Sequence, residues 1–125
     1  MDNFSLPATS STPAVDFNAS TGVLALSGES YPENAFEFFK PLLGWVSGFM
    51  KQSTGPATAE IALSYLNTSS IKSVMDLLDL LEAAHRDGRQ VSVRWSYHKE
   101  NDRALEMIEE FKEEVTLPFF IVPVG

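Results

Sequence analysis

Apolar residues recur along this chain with two different periods, and the period indicates which kind of element each segment forms. In Gln90–Tyr97 every second residue is apolar and the residues between are glutamine, serine or arginine. Such alternation is typical of a β-strand with one buried and one exposed face. In Ser70–Arg86 apolar residues instead recur every three or four positions, which is typical of an α-helix.

The same two patterns predict five strands and three helices along the chain. We expect the first helix to open at Gly28–Pro32, with Pro32 in its first turn, and to bend at Pro41. Asp87-Gly88 is expected to stop the second helix. The predicted strands are Ala14–Asn18, Val23–Ser27, Thr58–Leu66, Gln90–Tyr97 and Leu117–Val122, and the other two helices are Ser70–Arg86 and Asn101–Thr116.

The resulting order, β-β-α-β-α-β-α-β, predicts one small α/β (α+β) sandwich. Strand-helix-strand units place parallel strands side by side through right-handed crossovers, so we expect a mixed, mostly parallel sheet. The polar face of Gln90–Tyr97 predicts helices mainly on one side of that sheet. Residues 1–13, rich in Ser, Thr and Pro, are expected to be a flexible N-terminal arm, and residues 14–125 the domain.

Composition narrows the possible functions. The 125 residues carry Asp+Glu 17 against Lys+Arg 9, a formal net charge of −8, which argues against nucleic-acid or anionic-membrane partners. The absence of cysteine excludes disulfides and thiolate catalysis. No apolar run reaches the length of a membrane span and no signal peptide is recognised, so we expect a cytoplasmic protein.

Four small polar residues, Asn67 to Ser70, stand where the third predicted strand gives way to the second helix. In any helix that starts here, one of Thr68, Ser69 or Ser70 is expected to be the N-cap. The same position suits a phosphate, because a helix N-terminus offers free N–H donors and a partial positive charge. One hypothesis is therefore a phosphate on Thr68 or on a neighbouring serine, with the other side chains of the corner (Asn67, Ser69 and Ser70) as its cradle.

The second helix has more apolar residues than one buried stripe needs. One stripe, including Val74 and Leu78, is predicted to face the sheet, and a second stripe with Leu77 and Leu80 lies beside it. The second stripe is explained either by packing between two other helices or by docking of a partner. The docking hypothesis assigns partner binding to Leu77, Leu80, Asp76 and Lys72, and the neighbouring acidic residues would influence partner choice.

Motifs for catalysis are missing from the sequence. His85 and His98 lie in different elements without ligand-like spacing, so no metal site and no cofactor are predicted. The sequence contains no nucleophile elbow and no P-loop, so we expect a protein that is not an enzyme. Two alternatives stay open: a small hydrolase or transferase that uses a serine of the 67–70 corner, and a constitutive scaffold that is never modified.

Between Thr12 and Val122 the chain contains, in this order, the segments Ser30–Ala35, Phe38–Leu43, Tyr65–Lys72, Val91–Tyr97 and Leu117–Phe119. These segments resemble the SiaC family of bacterial regulatory phosphoproteins. The resemblance implies a fold like that of the STAS-like anti-anti-sigma-factor antagonists. It also implies phosphorylation of Thr68 by a Ser/Thr protein kinase, removal of the phosphate by a PP2C-type phosphatase, and binding and activation of a GGDEF diguanylate cyclase by the unphosphorylated form.

One segment departs from the family pattern. Where the family usually has a dense acidic run after the fourth strand, this chain has Tyr97–Arg103, with the sequence YHKENDR. Either the partner that meets this loop is less basic here, or the loop meets no partner.

Overall fold

The computed structural model describes all 125 residues and contains six strands and three helices in a two-layer α/β sandwich. The sheet has the order β1-β2-β3-β4-β5-β6, which is also the order along the chain. The elements are β1 Phe4–Leu6, β2 Ala14–Asn18, β3 Val23–Ser30, α1 Ala35–Gln52, β4 Ala57–Leu66, α2 Thr68–Arg86, β5 Val91–His98, α3 Asp102–Glu113 and β6 Phe119–Val124.

The predicted mixed, mostly parallel sheet is confirmed. The pairs β3–β4, β4–β5 and β5–β6 are parallel, whereas β1–β2 and β2–β3 are antiparallel. Each helix connects two neighbouring parallel strands, and each crossover steps in the same direction across the sheet. Crossovers of one hand therefore place all three helices on one face.

Burial along the strands follows from that arrangement. In β5, Val91, Val93 and Trp95 are buried, while Arg94 on the opposite face is exposed. The core lies between the helices and this buried face of the sheet, and the other face is open. Both the alternation and the one-sided layer of helices agree with the prediction from the sequence.

The strand β1 corrects the predicted element order, which began at Ala14 and treated residues 1–13 as a flexible arm. Phe4 to Leu6 pair with β2 as the edge strand of the sheet. Side-chain contacts hold the same segment, since Trp45 Nε1 donates to the Asp2 carbonyl at 2.9 Å and the Tyr31 hydroxyl donates to the Ser10 carbonyl.

The start of α1 also differs from the prediction. The strand β3 continues to Ser30, and α1 begins only at Ala35, with Asn34 as its N-cap. Pro32 is therefore in the connection and not in the first turn of the helix. Pro41 does lie inside α1, on its exposed side.

The parallel arrangement decides where a functional site can form. The carboxyl ends of β3, β4 and β5 lie at one edge of the sheet, and α1, α2 and α3 each begin there. Ligand and partner sites in open α/β sheets gather at this edge. The corner between β4 and α2, which contains Asn67 to Ser70, belongs to it.

Candidate functional site

Asn67 organises the corner between β4 and α2. It is the N-cap of α2, and its Oδ1 accepts a hydrogen bond from the Ser70 amide at 3.0 Å. Its Nδ2 donates to the Pro32 carbonyl at 3.1 Å, and its backbone N–H donates to the Ser30 carbonyl at 2.9 Å. The predicted cap, one of Thr68, Ser69 or Ser70, is therefore wrong: α2 begins at Thr68, two residues before the predicted start.

The three hydroxyl residues that follow Asn67 have different environments. Ser70 is fully buried, with its Oγ 2.8 Å from the Oγ of Ser30. Ser69 is exposed and its Oγ donates to Asn67 Oδ1 at 3.4 Å. Thr68 is exposed at the first position of the helix. Because the Ser70 hydroxyl is buried against Ser30, its position does not support the predicted role of Ser70 in a phosphate cradle.

The electrostatics around Thr68 favour an anion. The first turn of α2 contains no acidic residue. The N–H groups at the start of an α-helix have no partner within the helix and carry its partial positive charge. Lys72 follows Thr68 by four positions, so both side chains lie on the same side of the helix. A phosphate on Thr68 would thus meet a cation and free N–H donors.

Nothing at the corner activates a serine for catalysis. A nucleophilic serine needs a base within hydrogen-bonding distance. Ser69 contacts an amide oxygen and Ser70 contacts another hydroxyl. His85 lies in the last turn of α2, and His98 Nδ1 accepts a hydrogen bond from the Glu100 amide at 3.2 Å. Neither imidazole is hydrogen-bonded to Ser69 or Ser70. The hydrolase or transferase alternative therefore gains no support from the geometry.

The residues predicted to bind a partner separate into two groups. Leu77 is 1% exposed and belongs to the hydrophobic core, which contradicts its predicted place on a docking surface. Leu80 is half-buried and lines a different hollow, between α1 and α2. Of the predicted residues, only Asp76 and Lys72 line the groove that contains Thr68, between α2 and α3. Leu77 is thus a core residue and not part of a docking surface.

That groove, which we call the α2–α3 groove, runs between the second and third helices and has a volume of about 600 Å³. Thr68 lies at the end formed by the start of α2. Most of the other lining residues belong to α2 or to α3. Sequence analysis did not connect α3 with this site. The lining residues are Thr68, Ile71, Lys72, Met75, Asp76, Asp79, Met107, Glu110, Phe111 and Glu114.

Exposed aromatic side chains at the same edge of the sheet were also missed. Tyr31 follows β3 and Tyr65 lies near the end of β4, with their ring centroids 6.1 Å apart. Strict alternation from the buried Ile61 and Leu63 would bury Tyr65, but it is 52% exposed. The reason is a register shift, in which Gly28 pairs with Leu63 and the next residue of β3 pairs with Tyr65.

Removing the cap should destabilise the corner. We expect Asn67→Ala to lower the free energy of unfolding by about 1–2 kcal/mol, because the Ser70 amide and the Pro32 carbonyl both lose a partner. Asn67→Ser should recover part of this loss, since its hydroxyl can cap the helix but cannot reach the Pro32 carbonyl. Urea denaturation measures both variants, and equal stability of Asn67→Ala and wild type would contradict the assignment.

Mutations of Ser30 and Ser70, whose hydroxyls form a buried pair, should have non-additive effects on the free energy of unfolding. We expect Ser70→Ala to cost about 1–3 kcal/mol, because the Ser30 hydroxyl stays buried without a partner. The Ser30→Ala/Ser70→Ala double variant should cost less than the sum of the two single variants. Exposed Ser69→Ala is the control and should change stability by no more than about 0.5 kcal/mol. Additive single effects in denaturant titrations would refute the pairing.

No group of three or more Asp, Glu or His side chains is arranged to hold a metal ion. None of the three helices combines the length and the apolar character that a membrane-spanning helix requires.

Comparison with known proteins identifies the family. The chain is 46% identical over 121 residues to an uncharacterized protein of Pseudomonas aeruginosa (strain UCBPP-PA14), covering 97% of this chain and 96% of the relative. The structure of apo-SiaC from Pseudomonas aeruginosa superposes with a TM-score of 0.92 at 44% identity, covering 98% of this chain and 99% of that one. A structure of the diguanylate cyclase SiaD in complex with its activator SiaC, from the same organism, matches with a TM-score of 0.93 at 45% identity, covering 97% and 99%.

These matches agree with a family assignment over nearly the whole chain. Residues 6–124 match the SiaC family of regulatory phosphoproteins. The resemblance inferred from the sequence segments is thereby confirmed, and the chain belongs to the SiaC family of regulatory phosphoproteins.

Proposed function

We propose that this protein is a cytoplasmic partner-binding regulator that is switched by phosphorylation of Thr68. In its unphosphorylated form it binds and activates a GGDEF diguanylate cyclase, which raises cyclic di-GMP and promotes aggregation and biofilm formation. A Ser/Thr protein kinase adds the phosphate and releases the cyclase, and a PP2C-type phosphatase resets the switch. The protein itself is not an enzyme.

The observation that carries the proposal is the position of Thr68. Its side chain is exposed at the first position of α2 and lines the α2–α3 groove. A phosphate adds about −1.5 to −2 charges and three acceptor oxygens. The helix start tolerates that charge, so the folded protein accepts the modification, whereas a partner seated at the groove meets a new dianion.

The relatives support the choice of partner. The SiaC protein of Pseudomonas aeruginosa is named as the activator of the diguanylate cyclase SiaD, with which it forms a complex. Its structure superposes on this chain over 97% of the residues. We therefore assign a diguanylate cyclase as the partner of this protein too.

Mass spectrometry of protein isolated from its own cells tests the modification. We expect a fraction of the intact protein to carry a single phosphate, localised to Thr68, and a Thr68→Ala variant to carry none. The neighbouring Ser69 is the internal control, since it is exposed at the same helix start. Complete absence of phosphate on Thr68 under every growth condition would contradict the proposal.

Cyclase assays test the consequence. Purified SiaD from Pseudomonas aeruginosa should produce more cyclic di-GMP with the unphosphorylated protein than with the protein phosphorylated on Thr68. Equal activation by both forms would instead indicate a constitutive scaffold. A serine-dependent enzyme would be indicated only if the isolated protein turned over a substrate and lost that activity in a Ser69→Ala variant.

A further inference from the structure

The strand β6 forms one edge of the sheet and pairs only with β5. The Val93 amide donates to the Pro118 carbonyl and the Lys99 amide donates to the Val124 carbonyl, each at 2.9 Å. In a parallel ladder, alternate residues of a strand direct their N–H and C=O groups at the same neighbouring strand. The even-numbered residues of β6 therefore face β5, and the odd-numbered residues direct their backbone groups to the free edge.

Only two N–H groups are available on this free edge. They belong to Phe119 and Ile121, because the third odd-numbered residue of the strand is Pro123, which has no N–H. The Leu117 amide, which precedes the strand, already donates to Glu82. The free edge thus offers two residues, two positions apart, each with one donor and one acceptor.

The side chains of β6 form an uncharged apolar strip beside these backbone groups. Phe120 is 57% exposed, Val124 is 47% exposed and Val122 between them is half-buried, all on the open face of the sheet. Exposed edge strands are usually protected by charged side chains, but β6 contains none. Since each chain has a net charge of −8, two copies repel each other elsewhere and can approach most easily at an uncharged edge.

We infer that the free edge of β6 is a self-association surface, on which a second copy of this chain pairs its own β6 in antiparallel orientation. With the two-fold axis at Phe120, Phe119 lies opposite Ile121 of the second copy, and Ile121 lies opposite Phe119 of the second copy. Every N–H group of the two free edges then donates to a carbonyl of the other copy. The two Phe120 side chains meet at the axis as a non-hydrogen-bonded pair, in which cross-strand side chains are closest.

Pro123 selects this register. An antiparallel pairing centred on Ile121 would place Pro123 inside the ladder, opposite Phe119 of the second copy, where the proline ring occupies the place of a donor. The pairing centred on Phe120 leaves Pro123 outside the hydrogen-bonded residues. No lining residue of the α2–α3 groove belongs to β6, so the inference does not depend on the proposed function.

Sedimentation equilibrium of the purified full chain tests the inference. Two short strand edges bury less surface than a stable complex needs, so we expect a weak dimer that forms between micromolar and millimolar concentration. Phe120→Lys should weaken dimerisation at least about tenfold, because it places two like charges opposite each other at the axis. Ala62→Lys adds the same charge at an exposed position of β4 and should stay within about twofold of wild type. A wild type that stays monomeric at millimolar concentration, or equal weakening by both variants, overturns the inference.

Cysteine cross-linking tests the position of the axis separately. The chain has no cysteine, so one introduced thiol can form a disulfide only with the same position of another copy. With oxidised glutathione as the oxidant, Phe120→Cys should cross-link at least about tenfold faster than Ala62→Cys, because the axis holds its two thiols together. Equal rates of disulfide-linked dimer on non-reducing gels would overturn the assignment.

Discussion

Glu82→Gln is expected to lower the free energy of unfolding at pH 7 by about 2–3 kcal/mol. Glu82 is a buried residue of α2, and its carboxylate accepts four hydrogen bonds. The Thr116 and Leu117 amides donate to Oε1, each at 3.0 Å, and the Thr116 hydroxyl and Arg86 Nε donate to Oε2 at 2.7 and 3.1 Å. These bonds tie α2 to the connection between α3 and β6. A glutamine has only one acceptor oxygen and no charge.

The loss of stability in Glu82→Gln should become smaller as the pH falls. Burial alone would raise the pKa of the Glu82 carboxyl, but the hydrogen bonds from Thr116, Arg86 and Leu117 outweigh burial and hold that pKa at about 2, below the ordinary 4.5. A pKa that is lower in the folded state stabilises the fold above the unfolded value. The contribution, about 3 kcal/mol, is complete above about pH 5 and disappears as the pH falls toward 2.

Urea titrations at a series of pH values measure this dependence. The difference in the free energy of unfolding between wild type and Glu82→Gln should shrink steadily as the solution is acidified below about pH 5. Glu109→Gln is the control, because Glu109 is an exposed residue of α3 and its replacement removes the same charge. A constant difference between wild type and Glu82→Gln across the acidic range would refute the role assigned to the carboxylate.

Periodicity was sufficient to predict most of the fold, but only where an element is long enough to show it. The bounds of β2 agree with the prediction. Its apolar and polar residues alternate, and polar or turn segments flank the strand on both sides. The strand β1 has only three residues and lies at the edge of the sheet, so its sequence contains no full repeat. Its pairing with β2 depends on contacts between distant segments that no local pattern records.

The corner was harder to predict in detail because several residues suit the same position. Asn67, Thr68, Ser69 and Ser70 are all good N-caps, and the choice depends on where β4 ends. The strand β4 stays paired with β3 as far as Leu66, and Asn67 then bonds the Pro32 and Ser30 carbonyls. The α2–α3 groove was beyond sequence analysis for a related reason: only the fold brings Met107 and Glu110 beside α2.

Thr68→Glu is expected to weaken cyclase binding about 100-fold while leaving the fold intact. An acidic side chain at a helix N-terminus interacts favourably with the helix dipole, so the free energy of unfolding should stay the same or rise by about 0.3–1 kcal/mol. Ser69→Glu makes the same change in charge at the same helix start, but Ser69 does not line the α2–α3 groove. Its binding should stay within about twofold of wild type.

The pair of variants separates two physical causes of release. Binding lost in Thr68→Glu and kept in Ser69→Glu means that the partner is seated in the groove beside Thr68, so that the position of the charge decides the outcome. Binding lost in both means that the partner responds to the charge of the helix start as a whole, wherever it is placed. Full-strength binding by Thr68→Glu, measured by calorimetry with SiaD, would contradict the switch, because a carboxylate there would then neither block nor repel the partner.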